Sequence, residues 1–313
     1  MAAALVGQHA AGAIARQFSL PLRGGLGTVY GKAWGPVTGK RVLGVHGWMD
    51  NAGTFDRLAP YLPSDIQLVA VDLPGHGLSY HKKATYLMVD YVQDVKRIVD
   101  ALGWTRFTYM GHSNGAAIGA MFAGTFPEMV ERLLLIEGLA PFPGTDESAP
   151  EHLRAGIESN AALLGKPGKP YDSASAAIAK MRENNKALTE EAVQCLAARG
   201  MTTNSDGTTK FNHDPFLRAN SLQRINVKQF HAFLGRVVAP TMIIRAKGGW
   251  PFPVDYFQGC VDVLSKSTSD FEFVDVEGDH HVHLTNPQNV AAAAHRFLEK
   301  SSVGAGTQTA SML

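Results

Sequence analysis

The stretch Arg106–Phe122, "RFTYMGHSNGAAIGAMF", decides the fold class because it has the pattern of a strand, a sharp turn and a helix. The apolar run 106–110 leads into Gly111-His112-Ser113-Asn114-Gly115, and small residues open the helix that follows. Glycines flank the serine of such a turn because a β-carbon there would collide with neighbouring chain. The serine hydroxyl then lies at a helix N-terminus, where the helix dipole favours a developing anion. We therefore predict that Ser113 is a nucleophile; the alternative is a structural serine in a tight turn.

Around this stretch, short apolar runs alternate with helical patterns, which predicts a mostly parallel central sheet flanked by helices. The other predicted strands are RVLGV (41–45), QLVAV (67–71), RLLLI (132–136), TMIIR (241–245) and FEFVDV (271–276). A long helical, Ala-rich stretch without a strand pattern interrupts the alternation, and we predict that it is an inserted helical cap. The predicted organisation is a flexible N-terminal segment (1–20), a core (21–138 and 240–300), the cap (139–239) and a flexible tail (301–313).

The composition is that of an ordinary globular protein. Of 313 residues, 45% are hydrophobic and 18% charged, which is enough apolar material for a sizeable core. The net charge is +1 and there is no basic run, so we expect no nucleic-acid partner. No apolar stretch approaches the ~20 residues of a membrane span. The two cysteines, Cys195 and Cys260, lack a CxxC spacing; we expect free thiols, with a single disulfide as the alternative. We expect no metal site.

Two backbone N–H groups are expected to form an oxyanion hole beside the serine. One is that of Asn114, directly after the predicted nucleophile, and the other is that of Trp48 in the loop "VHGWMDNAGTFDRL" (45–58). In the same loop, Asp50 and Asn51 either cap the following helix or contact the substrate. We expect His46 to hydrogen-bond this loop.

The predicted base comes from "VEGDHHVHLTNPQNV" (276–290), which contains three histidines. Only a residue on the tight turn after the last strand can point back to the nucleophile. The turn Gly278-Asp279-His280 therefore favours His280, with His281 in reserve. His283 is expected to have a packing or hydrogen-bonding role.

Five segments together resemble an α/β-hydrolase: HGWMDNAGTFDRL (46–58), DLPGHGLS (72–79), YMGHSNGA (109–116), FAGTFPEMVERLLLIE (122–137) and VEGDHHVHLTNPQ (276–288). More closely, they resemble the eukaryotic serine hydrolase-like proteins, a group associated with peroxisomes. The resemblance spans roughly residues 30–298. It implies an α/β-hydrolase fold, Ser113 as nucleophile, a late histidine at His280, no cofactor, and hydrolysis of an ester-like bond.

The predicted acid departs from the pattern of the wider superfamily. There it usually follows the strand that corresponds to PTMIIR (240–245), but this chain continues with AKGGW (246–250), which has no carboxylate. Asp255 comes several residues later. The other known position is the end of the strand after the nucleophile helix, where Glu137 stands. We expect Glu137 to hold the histidine; Asp255 is the alternative acid, and a site without a working acid remains a third option.

These residues favour a cofactor-free serine hydrolase that cleaves a carboxylic ester or thioester of a small apolar acyl or aryl substrate through an acyl-enzyme. One alternative keeps the site but changes the reaction to C–C bond hydrolysis, lyase chemistry or cofactor-independent oxygenation. Another is a non-catalytic ligand-binding homologue, for which the missing carboxylate near Gly249 is the main support. Dehalogenases and epoxide hydrolases are disfavoured because they need an aspartate at the position of Ser113.

The tail ends in Ser311-Met312-Leu313, which resembles the serine-x-leucine peroxisomal address, with Met312 in place of the usual lysine. The tripeptide predicts a peroxisomal import receptor as a partner and the peroxisome as the location. A cytoplasmic protein with a disordered tail is the alternative.

Overall fold

An eight-stranded, mostly parallel sheet forms the centre of the computed structural model, which describes residues 15–166 and 168–300. Its strands are β1 (Arg16–Pro21), β2 (Thr28–Trp34), β3 (Lys40–Val45), β4 (Ile66–Val71), β5 (Phe107–His112), β6 (Val130–Ile136), β9 (Thr241–Gly248) and β10 (Phe271–Asp279). A separate two-stranded sheet pairs β7 (Met201–Thr203) with β8 (Thr209–Phe211). In space the large sheet runs β1-β2-β4-β3-β5-β6-β9-β10. The pairings β1–β2 and β2–β4 are antiparallel and the others parallel.

Helices cover both faces of this sheet, as the sequence predicts. The α-helices of the described residues are α1 (Met88–Ala101), α2 (Asn114–Thr125), α3 (Ala149–Leu163), α4 (Ala174–Asn184), α5 (Glu190–Gly200), α6 (Val227–Leu234), α7 (Val254–Ser267), α8 (Val282–Thr285) and α9 (Pro287–Glu299). Of these, α3, α4 and α5 lie in the segment between β6 and β9 and outside the two core clusters on the sheet faces. The predicted mostly parallel sheet flanked by helices is confirmed.

The central strands are apolar throughout because both of their faces are buried. Along β6, Leu133 and Leu135 point into the core cluster that contains residues of α1, α2 and α7. Leu134 and Ile136 point into the cluster on the other face, which contains Phe297 of α9. Successive side chains over residues 133–136 therefore enter the cores on opposite faces of the sheet, so all of them are apolar. A strand with one exposed face would instead alternate apolar and polar residues.

The N-terminal boundary of the core differs from the prediction. Residues 16–20 belong to β1, which pairs antiparallel with β2, so the flexible segment predicted over 1–20 is wrong for these residues. The sequence of β1, RQFSLP, is short and lies at the sheet edge, so only one side of it is paired. Residues 1–14 lie outside the described part of the chain, as does the tail 301–313 with Ser311-Met312-Leu313.

The segment between β6 and β9 is mainly helical, but it is not the uniform helical insertion that we expected over 139–239. It contains the β7–β8 hairpin, whose three-residue strands are too short to produce a recognisable alternation in the sequence. Its last helix, α6, belongs to the core because Phe230 and Leu234 are fully buried in the same cluster as α2. The predicted cap therefore ends too late, and we use "inserted segment" for residues 139–226.

A buried ion pair ties the inserted segment to the strand-end loops of the core. Arg199 at the end of α5 donates from Nη2 to Asp72 Oδ2 at 2.7 Å, and both side chains are almost completely buried. Asp72 directly follows β4, and it also accepts hydrogen bonds from the backbone N–H groups of Ala52 (2.8 Å) and Leu78 (2.9 Å). One carboxylate therefore organises two loops and holds the inserted segment above them.

Within the described residues, no helix has both the length and the apolar character that crossing a bilayer requires.

Replacing Arg199 by alanine should destabilise the protein strongly, because Asp72 would remain buried without its counter-charge. Loss of one partner of a buried pair typically costs about 3–5 kcal/mol in the free energy of unfolding. Urea unfolding monitored by circular dichroism measures this change.

The matched control is Arg182→Ala, which removes an exposed ion pair of the same inserted segment. Arg182 Nη1 lies 3.1 Å from Glu190 Oε2, and both side chains are more than half exposed. Exposed pairs contribute about 0–1 kcal/mol. Equal losses in the two variants would contradict the anchoring role of Arg199.

Candidate active site

Ser113 lies at the sharp junction between β5 and α2, and its backbone has φ 53° and ψ −117°. A positive φ is strained for a serine and persists only where the surroundings enforce it. Here the Ser113 N–H donates to the Ile136 carbonyl oxygen at 2.9 Å. A β-carbon at Gly115 would come within 2.2 Å of the Val45 carbonyl oxygen, and one at Gly111 within 2.4 Å of that of Gly115. Both glycines are therefore required for the turn.

His280, on the turn that follows β10, is within hydrogen-bonding distance of the serine. Its Nε2 lies 2.8 Å from Ser113 Oγ, so the hydroxyl can donate its proton to the imidazole. Its Nδ1 lies 3.0 Å from Glu137 Oε2, which accepts the hydrogen bond from that side of the ring. The structure thus brings the predicted nucleophile, base and acid into one continuous chain of hydrogen bonds.

Glu137 directly follows β6, also has a positive φ (52°), and is 1% exposed. Besides His280, its carboxylate accepts hydrogen bonds from the backbone N–H groups of Ala246 (2.5 Å) and Trp250 (3.1 Å). The AKGGW segment, which lacks an acid of its own, therefore holds the acid of the neighbouring strand. A β-carbon at Gly249 would come within 2.1 Å of Glu137 Oε2, so this position has to be glycine.

The alternative acid is not brought to the site. Asp255 lies in the first turn of α7 and is exposed, whereas the hydrogen bond of His280 Nδ1 goes to Glu137.

The residues predicted to supply the oxyanion hole lie around the same cavity as Ser113. Asn114 is the first residue of α2, and Trp48 lies in the loop after β3; both line this cavity. The Trp48 ring, 41% exposed, packs edge-on against His76 and Tyr91. The placement is compatible with the predicted role of the two N–H groups.

The neighbouring residues Asp50 and Asn51 have different surroundings. Asn51 Oδ1 accepts from the Gly53 N–H at 2.9 Å, and its Nδ2 donates to the Leu196 carbonyl oxygen at 2.8 Å. It therefore caps a helical turn and holds the inserted segment, as one of our two alternatives proposed. Asp50 lines the cavity together with His281.

Sequence reasoning missed a buried group of polar side chains behind the serine, formed by Asp50, His112 and His281. Burial lowers the pKa of His112 to about 4, although the nearby Asp50 carboxylate opposes the shift. Burial also works against the charged form of His281, but the adjacent Asp50 outweighs it and raises the pKa of His281. Burial would raise the pKa of Asp50, yet His281 and His112 hold that pKa well below its usual value. The signal in the sequence was that one histidine precedes Ser113 and another follows His280.

The remaining histidines have structural partners. His46 Nδ1 lies 2.7 Å from the Gly47 carbonyl oxygen, which is the expected contact with its own loop, and its Nε2 accepts from the Leu73 N–H of the loop after β4 at 3.0 Å. His283 Nε2 lies 2.8 Å from Thr54 Oγ1 in a fully buried position, in agreement with the expected hydrogen-bonding role.

The cavity in front of Ser113 has a volume of about 680 Å³. Core loops and the inserted segment both contribute to its wall. Apolar lining residues include Tyr91, Ala117, Phe142, Leu217, Trp250 and Phe252. This volume fits a small organic molecule with an apolar body.

Comparison with known proteins places the chain among hydrolases. A family model of the α/β hydrolase fold matches residues 40–287. The chain is 36% identical to a serine hydrolase-like protein of Danio rerio over 297 residues, covering 92% of this chain and 90% of that protein. It is 33% identical to serine hydrolase-like protein 2 of Homo sapiens over 288 residues, covering 87% and 91%.

Solved structures show the same fold. The crystal structure of a hypothetical protein from Pseudomonas aeruginosa PAO1 superposes with a TM-score of 0.79 at 33% identity, covering 91% of this chain and 97% of that one. A thioesterase domain from the curacin biosynthetic pathway has a TM-score of 0.77 at 21% identity, covering 90% and 99%. The second similarity shows a shared fold.

Proposed function

This chain belongs to the α/β-hydrolase family, and we propose that it cleaves a carboxylic ester or thioester of an apolar acyl or aryl substrate, without a cofactor, through an acyl-enzyme. Its serine hydrolase-like relatives support hydrolase activity in general. The observation that carries the finer proposal is the chain of contacts from Ser113 through His280 to Glu137, with heavy-atom distances of 2.8 and 3.0 Å.

The proposed reaction begins with attack of Ser113 Oγ on the substrate carbonyl carbon while the hydroxyl proton moves to His280 Nε2. Glu137 keeps His280 in the required tautomer and stabilises the imidazolium that forms. The N–H groups of Asn114 and Trp48 bind the oxyanion of the tetrahedral intermediate. When the intermediate collapses, the alcohol or thiol leaves with the proton from His280.

Water then repeats the sequence on the acyl-enzyme. It gives its proton to His280, attacks the acyl carbon, and releases the acid as Ser113 recovers its proton. General-base catalysis typically contributes about 10²–10⁴ in rate, and one oxyanion donor about 10²–10³. The same groups therefore serve both halves of the reaction.

The cavity supports an apolar acyl or aryl group. Trp250 and His280 rings lie 5.5 Å apart, so an aromatic wall stands beside the base. Ala117, in the first turn of α2, also lines the cavity and has only a methyl side chain. Among the charged residues of the wall, Asp50 is paired with His281, while Arg218 and Arg224 belong to the inserted segment. The part of the wall that belongs to the core therefore favours uncharged groups next to the reacting carbonyl.

Two alternatives use the same residues. A C–C hydrolase, a lyase or a cofactor-independent oxygenase would use His280 as base on a different substrate. A non-catalytic ligand-binding protein would need neither Glu137 nor a strained serine. The three backbone and imidazole contacts to the Glu137 carboxylate support an enzyme over a binding protein.

Ser113 should react with a fluorophosphonate probe, because the probe mimics the attacked carbonyl and needs an activated hydroxyl. Ser113→Ala should abolish labelling and the turnover of p-nitrophenyl esters and acyl thioesters, tested over a series of chain lengths. Mass spectrometry of the labelled peptide identifies the modified residue. Intact, folded protein that stays unlabelled, together with unchanged turnover in the alanine variant, would refute the hydrolase proposal.

Glu137→Gln should lower kcat by about 10²–10⁴, because the neutral amide no longer stabilises the imidazolium. Gly249→Ala should also impair turnover, since its β-carbon would displace the Glu137 carboxylate. Stopped-flow or steady-state kinetics on the preferred ester measures both effects.

The matched control is Asp255→Asn, which removes the exposed carboxylate that we considered as an alternative acid. It should retain nearly full activity. If Asp255→Asn loses turnover and Glu137→Gln does not, the assignment of the acid is wrong.

We also propose that Ser311-Met312-Leu313 directs the protein to peroxisomes through an import receptor. Support comes from the tripeptide and from the resemblance to a peroxisome-associated group. Deleting these three residues should shift a fluorescent fusion from punctate to diffuse staining, and a fusion that stays punctate argues against the signal.

A further inference from the structure

Three buried side chains with metal-binding atoms converge behind Ser113. Asp50 comes from the loop after β3, His112 from the end of β5, and His281 from the turn after β10. Asp50 Oδ2 lies 3.2 Å from His281 Nε2 and 3.5 Å from His112 Nδ1. The ligating atoms all lie within 4.8 Å of one another.

One ring nitrogen of His112 has no partner in this cluster. Its Nε2 lies 2.8 Å from the His280 carbonyl oxygen, which can only accept, so Nε2 must carry the hydrogen. Its Nδ1 is buried and has no hydrogen-bond partner among the residues that the structure describes. This nitrogen nevertheless faces the Asp50 carboxylate. A lone pair next to a carboxylate is repulsive unless a cation, either a proton or a metal ion, lies between them.

The outer contacts of the cluster are those that orient metal ligands in proteins. A metal-binding histidine usually donates its second N–H to a carbonyl or another fixed polar group. His112 does so through the His280 carbonyl oxygen. His281 Nδ1 accepts from Asn185 Nδ2 at 2.9 Å, so its Nε2 carries the proton that faces Asp50, and an ion that binds there displaces this proton. Asp50 Oδ2 accepts from Thr54 Oγ1 at 3.3 Å. Each of the three side chains is therefore fixed in orientation by a hydrogen bond outside the cluster.

The two separations measured from Asp50 fit a tetrahedral ion. Zinc bonds of about 2.0–2.2 Å to nitrogen and oxygen place neighbouring ligand atoms about 3.3–3.5 Å apart. The two separations measured from Asp50 are 3.2 and 3.5 Å. Two imidazoles with one carboxylate form a donor set that suits zinc and similar divalent transition metals.

We propose that Asp50 Oδ2, His112 Nδ1 and His281 Nε2 form a binding site for Zn²⁺ or a similar divalent transition-metal ion. Three protein ligands leave a fourth position for water or another small ligand. All three residues also line the cavity that Ser113 lines. The proposed site departs from our sequence-based expectation that the chain has no metal site.

The test measures binding directly, so it does not depend on the proposed hydrolysis. Chelator-treated wild-type protein and the Ser113→Ala variant are titrated with Zn²⁺ by calorimetry and with Co²⁺ by visible absorption. Both proteins should bind one ion per chain, and Co²⁺ should show the intense bands of low-coordinate nitrogen and oxygen ligation. Asp50→Asn and His281→Gln should each weaken binding beyond the ~10–100-fold typical of losing an outer partner.

The matched control is His295→Gln, which removes an exposed histidine that lies 3.1 Å from Glu299. This variant should bind the ion as the wild type does. Thermal unfolding of each variant establishes that it is folded. Absence of stoichiometric binding would overturn the site, as would binding that survives in both Asp50→Asn and His281→Gln; a proton would then lie between Asp50 and His112.

Discussion

The buried carboxylate of Glu137 is the constraint on which the rest of the site depends. It lies at the end of β6 and accepts hydrogen bonds from β9, from the loop after β9, and from His280 after β10. One charge therefore joins the ends of three neighbouring strands. The strand order β5-β6-β9-β10 places Ser113 on the other side of Glu137, and the imidazole spans the gap between them. Desolvation of this carboxylate is tolerated because every contact to it is a hydrogen-bond donor.

Short sequence patterns predicted those features that depend on neighbouring residues in the chain. Ser113 was recognisable because steric demands on the turn fix glycines on both sides of it, and His280 because it follows the last strand. Glu137 was found from the second position that the acid is known to take in the superfamily, and Asp255 competed because it comes a few residues after the usual one. The fold class was equally predictable, since parallel strands buried on both faces are apolar along their whole length.

What the sequence did not reveal depends on contacts between distant segments. Strand β1 is defined by its pairing with β2, and α6 belongs to the core because of its packing against α2. The grouping of Asp50, His112 and His281 joins positions 231 residues apart. Each of these residues, taken alone, has an ordinary local role. The only sign in the sequence is that His112 precedes Ser113 and His281 follows His280; the sheet brings Asp50 to them.

Because the acid follows β6, the loop after β9 lines the cavity without also having to supply the acid. The loop after β9 contacts Glu137 through a backbone N–H, so its side chains do not hold the acid. Only position 249 is restricted, because a β-carbon there would meet the Glu137 carboxylate. Trp250, which is half exposed and lines the cavity, belongs to that loop. A substitution at Trp250 can therefore change substrate preference while the hydrogen bonds from Ser113 through His280 to Glu137 stay intact. Trp250 is therefore a suitable position for changing substrate selectivity, by natural divergence or by laboratory evolution.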